Sequence, residues 1–257
     1  MNCALHSEQA LLYDSPSITI RKSISRNGGQ PFEDSDVLVL SSRSTSDAHS
    51  QGSTQLCLDL RLSKPLKPDS TIQWGFAGIR VTLSSTPLRF RWNHYIDSQG
   101  RDGPPDEGTM TSCDGEEVET GIGINPETGE EEKYEERWID QPVTPATSFA
   151  FLTSSREPSE STGFIAILGD HALAMRQNYF PDDAEFQAVR MRISTSSSSE
   201  VLFKQNADTL LPLLEYALSS IDSWKGSPWQ RGQEITLQED RWTVWDAGMT
   251  GEHNYLI

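Results

Sequence analysis

The stretch "GEEVETGIGINPETGEEEKYEERWID", residues 115–140, places nine glutamates in 26 positions beside Ile122, Ile124, Tyr134 and Trp138. Its centre, residues 125–129, reads Asn-Pro-Glu-Thr-Gly, which is turn chemistry between two runs that can alternate. A calcium loop of the EF-hand type needs ligands at fixed odd offsets and a glycine at its sharp turn, and that pattern is missing. The stretch therefore predicts a β-hairpin whose glutamates face solvent, rather than a metal site.

The returning strand of this hairpin has two faces. Side chains alternate along a strand, so Tyr134, Glu136 and Trp138 share one face. The other face carries Lys133, Glu135, Arg137 and Ile139. We therefore expect Tyr134 and Trp138 to be buried as core aromatics or to line a cavity.

The same short alternation recurs from end to end, in runs bounded by Gly, Pro, Asn, Asp and Ser, which indicates a mostly β protein. The clearest interruption is "QPVTPATS" at 141–148, so we predict one domain over 1–143 and a second over 144–257. One short helix is predicted over 208–221, with Asp208 as its cap. Its predicted apolar face consists of Leu210, Leu211, Leu214, Ala217, Leu218 and Ile221.

Composition excludes several classes of function. The net charge of -17 and sequence pI near 4.6 would repel nucleic acid and anionic membrane surfaces, so neither is expected as a partner. Cys3, Cys57 and Cys113 are far apart without a CxxC, which predicts reduced thiols and no zinc site. The sequence has no run of 18 apolar residues and no basic region ahead of an apolar N-terminal segment. We therefore expect a cytoplasmic protein.

Six stretches of the chain carry a resemblance to a known family. They are "IQWGFAG", "RWNHYIDS", "DEGTM", "EVETGIGINPETGEEEKYEERWID", "GFIAILGDHALAMRQ" and "ITLQEDRWTVWD". Their order and spacing over residues 55–246 resemble the fungal Hri-type proteins, a family named for interaction with a casein-kinase-like partner. The resemblance implies two tandem antiparallel lipocalin-like (calycin-type) β-barrels, against a single-sheet sandwich as the alternative. Tyr95 departs from the family's usual tryptophan, and residues 1–50 match weakly.

The candidate site lies in the first unit. In "LRFRWNHYID", residues 88–97, alternation predicts that Leu88, Phe90, Trp92, His94 and Ile96 face the interior of a barrel. His94 is our candidate catalytic residue, since a neutral imidazole can hydrogen-bond a ligand carbonyl or phenol, although a bonded core histidine is the simpler alternative. The candidate ligand-binding residues are Trp74, Phe76, Phe90, Trp92, Tyr134 and Trp138, with ordinary barrel packing as the alternative for Trp74 and Phe76. Gly75 and Gly78 would allow close approach or a strand bend.

A fallback site is predicted in the second unit, where His171, Leu173 and Met175 share one face of a strand. Arg190 and Arg192 are expected together at the solvent-facing side of another strand, and the alternative is a buried pair that needs a carboxylate or a ligand anion. The sequence has no GxSxG, HExxH, P-loop or GxGxxG motif, so we predict no metal and no cofactor.

Two functions remain open on these observations. The first is a barrel that binds a hydrophobic, aromatic or polycyclic small molecule and acts as a cofactor-independent cyclase of fungal secondary metabolism, for example in a hetero-Diels-Alder cycloaddition. The second, which the resemblance implies through the family's name, is a non-catalytic adaptor that contacts a kinase or other protein through the glutamate face of residues 116–136. An empty barrel would favour the first and a filled barrel the second.

Overall fold

The computed structural model describes residues 15–46, 52–100, 105–155, 161–178, 185–194, 199–224 and 229–251. Two antiparallel sheets follow one another along the chain. The first sheet contains β1 (Ser17–Arg26), β2 (Ser35–Ser41), β3 (Thr45–Ser46), β4 (Ser53–Ser63), β5 (Ile72–Ser85), β6 (Leu88–Asp97), β7 (Asp106–Cys113), β8 (Glu116–Ile124) and β9 (Glu131–Gln141). The second contains β10 (Ser148–Ser155), β11 (Ser161–Leu168), β12 (His171–Asn178), β13 (Phe186–Ile193), β14 (Ser199–Gln205), β15 (Glu234–Leu237) and β16 (Asp240–Met249).

The first sheet closes into an eight-stranded barrel. Strand β2 pairs with β1 on one side and with β4 on the other, so the order β1, β9, β8, β7, β6, β5, β4, β2 returns to its start. The predicted hairpin is present: β8 and β9 pair with Ile124 opposite Glu131. A mostly β fold with an antiparallel barrel is thereby confirmed.

The second sheet is open over the described residues, with β14 and β15 at its two edges. One of its faces is covered by the helix Leu210–Asp222 (α1), which buries Leu210, Leu213, Leu214, Ala217 and Ile221. A second barrel is therefore not confirmed, because the predicted helix occupies the face that a closed barrel would turn inward. The helix begins after Thr209, which makes no side-chain cap, while Asp208 bonds Lys204 instead.

The two sheets share one hydrophobic core. Strand β4 directs Leu56, Leu58, Leu60 and Leu62 outward from the barrel, where they pack on the second sheet, including Phe151. The molecule is thus layered as barrel wall, open sheet and helix. The strands of the first sheet end at Gln141 and those of the second begin at Ser148, and the division into domains at 143 stays a prediction.

Some sequence-based expectations need correction or fall outside the description. Strand β7 was not predicted from the sequence, and residues 163–178, which lie in one alternating run of the sequence, belong to the two strands β11 and β12 with a turn at Gly169. Cys3 and positions 195–198 of the Ser-rich "STSSSS" segment lie outside the described residues. In the described part of the chain, no helix is long and apolar enough to cross a membrane.

Candidate functional site

A cavity of about 1150 Å³ lies inside the barrel. Its mouth is formed by connections between strands and includes Phe32, Gly100 and Asn125. Six of the seven predicted site residues line it: Trp74, Phe76, Trp92, His94, Tyr134 and Trp138. The seventh, Phe90, is buried beside Trp92 and packs with Met110 and Trp138. The predicted residues therefore meet at one cavity, which many charged side chains also line, and their catalytic and binding roles stay predictions.

His94 occupies an aromatic corner of the cavity. The ring of Phe76 stacks on it with centroids 4.0 Å apart, and Trp74 lies edge-on at 5.7 Å. Its Nδ1 is 2.7 Å from Asp97 Oδ2 and its Nε2 is 3.1 Å from Asp106 Oδ2. Burial alone would lower the pKa of His94, but the hydrogen bonds to Asp106 and Asp97 raise it to about 9. At neutral pH the ring is an imidazolium whose two N–H groups both already donate.

A β-bulge at Tyr95 sets this corner. Ala77 pairs with Ile96 and Gly78 pairs with His94, so Tyr95 is the extra residue of β6. The bulge reverses the alternation after His94: Ile96 joins the core between the sheets, and Asp97 turns into the barrel. The prediction that Ile96 faces the barrel interior was therefore wrong. Gly78 is required here because a Cβ would lie 1.9 Å from the Asn93 carbonyl oxygen.

Glu119 forms a second polar group in the wall, on β8. Its Oε1 accepts a hydrogen bond from Tyr134 Oη at 2.7 Å, and its Oε2 accepts one from Trp138 Nε1 at 3.1 Å. Burial raises the pKa of Glu119 to about 8, and the negative charges of Glu136 and Asp106 add to the effect. Gly108 makes room for this carboxyl group, since a Cβ there would lie 2.6 to 2.9 Å from it.

A third polar group is an ion cluster that crosses the barrel interior. Glu136 Oε1 contacts Arg21 Nη1 at 2.5 Å and Arg61 Nη1 at 3.0 Å. Arg21 also pairs with Glu33, and Arg61 also pairs with Asp59 at 2.9 Å. Burial works against the charge on Glu136, but the two guanidinium groups lower its pKa nonetheless. The Arg61 guanidinium additionally lies over the ring of Trp74, 4.5 Å from its centroid.

The hairpin glutamates are thus not all solvated. Glu119 and Glu136 are 6% and 4% exposed inside the barrel, whereas Glu127, Glu130 and Glu131 at the tip are exposed. The expectation that the hairpin glutamates face solvent was therefore wrong for Glu119 and Glu136. The missed signal is that Arg21 and Arg61 fall on the inward phase of their own strands, where buried carboxylates are needed to compensate them.

The fallback site in the second unit does not form. Leu173 and Met175 lie in the core between the sheets, and His171 is buried with its Nε2 3.2 Å from Gln141 Oε1. Arg190 was expected at the surface, yet it is buried and bonded to Asp36 of the barrel at 2.6 Å. Only Arg192 is exposed as expected. His171 and Arg190 thus bond to residues of the first sheet, because β12 and β13 pack against the barrel rather than face solvent.

The thiols and acidic groups give no metal centre in the described ranges, where no cluster of three or more His, Cys, Asp or Glu side chains has a suitable arrangement. Cys57 faces the barrel and is buried, and burial raises its pKa to about 12. This thiol therefore stays protonated and unreactive.

Comparison with known proteins places the chain in a family. No protein with a curated description matches it. The crystal structure of the uncharacterized protein YLR301w from Saccharomyces cerevisiae is similar in fold, with a TM-score of 0.63 and 14% identity, over 91% of this chain and 99% of that chain. The family model described as Protein HRI1 matches residues 17–246. This match extends over both sheets, from the first strand of the barrel to the last strand of the open sheet, and the chain therefore belongs to the HRI1 family.

Proposed function

We propose that the barrel binds a small molecule with a planar apolar body and oxygen-bearing substituents. The cavity of about 1150 Å³ carries this proposal, because a small eight-stranded barrel without a ligand role is filled by its own side chains. Trp74 and Trp92 offer aromatic surfaces for the body of the ligand. The charged lining narrows the expected ligand from a purely hydrophobic compound to one with polar groups that can meet the wall.

We further propose that binding serves a cofactor-independent cyclisation, such as a hetero-Diels-Alder cycloaddition. Holding two reacting partners in their near-attack geometry supplies a large part of such a barrier without a cofactor. A wall of fixed donors also stabilises charge that develops on a carbonyl oxygen. His94 can reach such an oxygen only if Asp106, the more exposed of its two carboxylate partners, moves aside.

The test is ligand capture with matched variants. Native mass spectrometry of the protein purified from its own host identifies the bound molecule, and its affinity and conversion are then measured for Trp92→Ala and His94→Phe. Arg89→Ala is the control because Arg89 lies on the same strand with an exposed side chain that pairs with Glu107. Binding and conversion should fall in the first two variants and persist in the control. Folded Trp92→Ala and His94→Phe proteins with unchanged affinity and turnover would remove the site from this cavity.

The alternative function is a non-catalytic adaptor. Its support is the exposed acidic tip of the β8–β9 hairpin, with Glu127, Glu130 and Glu131, on a chain of net charge -17. Such a surface suits a basic protein partner. Replacing the three glutamates by lysine would abolish partner binding while ligand binding in the barrel persists. Partner binding that survives this reversal would exclude the hairpin tip as the contact.

A further inference from the structure

Two glutamates of the β8–β9 hairpin lie directly opposite each other inside the barrel. Glu119 on β8 and Glu136 on β9 are cross-strand partners, and both line the cavity. Their environments differ. Glu136 receives hydrogen bonds from the guanidinium groups of Arg21 and Arg61, whereas Glu119 receives them from the uncharged groups of Tyr134 and Trp138.

This difference separates the protonation states of the pair. The two arginines keep Glu136 ionised by lowering its pKa, although burial opposes them. Burial, followed by the charges of Glu136 and Asp106, raises the pKa of Glu119 to about 8, and Arg61 only partly offsets this. Two nearby carboxyl groups with separated pKa values are the usual arrangement of an acid beside a fixed anion. At neutral pH Glu119 therefore holds a proton inside the barrel.

Tyr134 connects this proton to the cavity. Its hydroxyl lies 2.7 Å from Glu119 Oε1, and the side chain is half-buried at the cavity wall. Gly121 makes the placement possible, because a Cβ there would lie 2.5 Å from the Tyr134 hydroxyl oxygen. Burial and the neighbouring charge of Glu119 raise the pKa of Tyr134, so the phenol does not act as an anion.

We propose that Tyr134 donates to an oxygen atom of the bound ligand and that Glu119 stands behind it as the proton reservoir. This inference rests on the proposed ligand-binding function and narrows the ligand to one with a carbonyl or similar acceptor oxygen. Tyr134 would touch the substrate, and Glu119 would act through it as a positioning residue. Trp138 holds the second oxygen of Glu119 and so orients the carboxyl group.

The proton transfer is balanced within the three groups. In the ligand complex the Tyr134 hydroxyl turns from Glu119 to the ligand oxygen, and the Glu119 carboxyl group donates to the Tyr134 oxygen in its place. As the ligand oxygen gains the hydroxyl proton of Tyr134, the carboxyl proton of Glu119 moves to the Tyr134 oxygen. Glu119 becomes a carboxylate that again accepts hydrogen bonds from Tyr134 and Trp138, as it does without ligand. When the product oxygen releases its proton, the transfers reverse and Glu119 is protonated again. No oxidant, reductant or metal enters the step.

The first measurement needs the protein alone. The indole N–H of Trp138 contacts Glu119, so its nitrogen and proton NMR signals should titrate with a midpoint near 8. The titration should disappear in Glu119→Gln, which keeps an acceptor oxygen of the same shape. It should persist in Glu135→Gln, the control, since Glu135 lies on the outer face of β9 and pairs with Arg137. A Trp138 signal that does not titrate in this range in the wild-type protein would overturn the reservoir.

The second measurement uses prodan, a fluorescent naphthyl ketone whose emission moves to the red when its carbonyl accepts a hydrogen bond. Bound prodan should emit further to the red below about pH 8 than above it, and Glu119→Gln should remove this dependence. Tyr134→Phe should shift the emission to the blue below about pH 8 and should also remove the pH dependence. Binding that Trp92→Ala weakens, but with emission unaffected by pH and by Tyr134→Phe, would overturn the relay and leave the ligand-binding function intact. Prodan affinity that Trp92→Ala leaves unchanged would count against both.

Discussion

Gln177 of the second sheet makes two hydrogen bonds to the main chain of Asp97 in the barrel. Its Oε1 accepts a hydrogen bond from the Asp97 N–H at 2.9 Å, and its Nε2 donates one to the Asp97 carbonyl at 3.0 Å. The Asp97 side chain, on the opposite side of the same residue, holds His94 and the Trp74 indole at the cavity wall. The open sheet is therefore part of the framework of the barrel's site.

Replacing Gln177 by methionine should loosen that corner. Two buried backbone groups of Asp97 lose their partners, at a cost of roughly 1–3 kcal/mol in the free energy of unfolding. The pKa of His94 should fall because Asp97 is held less firmly. Gln187→Met is the control, since the Gln187 Oε1 has no hydrogen-bond partner among the described residues. Denaturant unfolding measures the loss of stability, and a histidine NMR titration measures the pKa of His94. If both values equal those of the control variant, the two hydrogen bonds from Gln177 to Asp97 are dispensable.

The ion cluster predicts a large asymmetry between arginines. Arg61→Met removes the buried cation that pairs with Asp59 and one of the two cations that pair with Glu136. The free energy of unfolding should therefore fall by roughly 3–5 kcal/mol. Arg89→Met removes an exposed pair with Glu107 and should cost about 0–1 kcal/mol. Chemical denaturation of both variants tests the contrast. Similar losses in the two proteins would mean that the interior cluster is not compensated as described.

His94 should make stability depend on alkaline pH. Its pKa is raised from 6.5 to about 9 in the folded protein, so protonation stabilises the fold fully below about 6.5 and is lost as pH rises through about 9. The contribution is on the order of 3 kcal/mol. Asp106→Asn should lower the His94 pKa because it removes the carboxylate 3.1 Å from Nε2. NMR titration of the ring protons measures the pKa of His94. A wild-type midpoint near 6.5 would contradict the hydrogen bonds of His94 to both Asp97 and Asp106.

Chelators should leave the thermal stability unchanged. The two buried hairpin glutamates already have arginine, tyrosine and tryptophan partners, so neither is available as a metal ligand. Melting the protein with and without EDTA measures this. A shift of several degrees would mean that the glutamate-rich hairpin binds a cation after all.

Local alternation was a reliable guide to much of this molecule. The hairpin of β8 and β9, the shared face of Tyr134 and Trp138, and the convergence of Trp74 with His94 all follow from a two-residue period. The bulge at Tyr95 does not, because it depends on the close approach of Gly78 to the Asn93 carbonyl in a paired strand. One extra residue in β6 was enough to turn Ile96 to the outside of the barrel and Asp97 to its inside, the reverse of the predicted faces.

The direction in which a face points was harder to predict than its existence. Strand β4 alternates leucine with Cys57, Asp59 and Arg61, and a lone barrel would turn the leucines inward. Here the leucines pack on the second sheet and the charges line the cavity. Only the arrangement of the two sheets together settles this, and the same information was needed to place Glu119 and Glu136 inside.

Strand β4 also limits how this gene can change. Its leucines and its charged residues alternate one by one, so a single inserted or deleted residue would push leucines into the ionic interior and charges into the apolar seam in one step. A substitution at one position can be compensated by a change in a neighbouring residue. A register shift caused by an insertion or deletion inside the strand cannot be compensated in this way. Length variation among related chains should therefore be found in the connections around the barrel mouth, where it leaves undisturbed the strand that forms both the barrel wall and the seam with the second sheet.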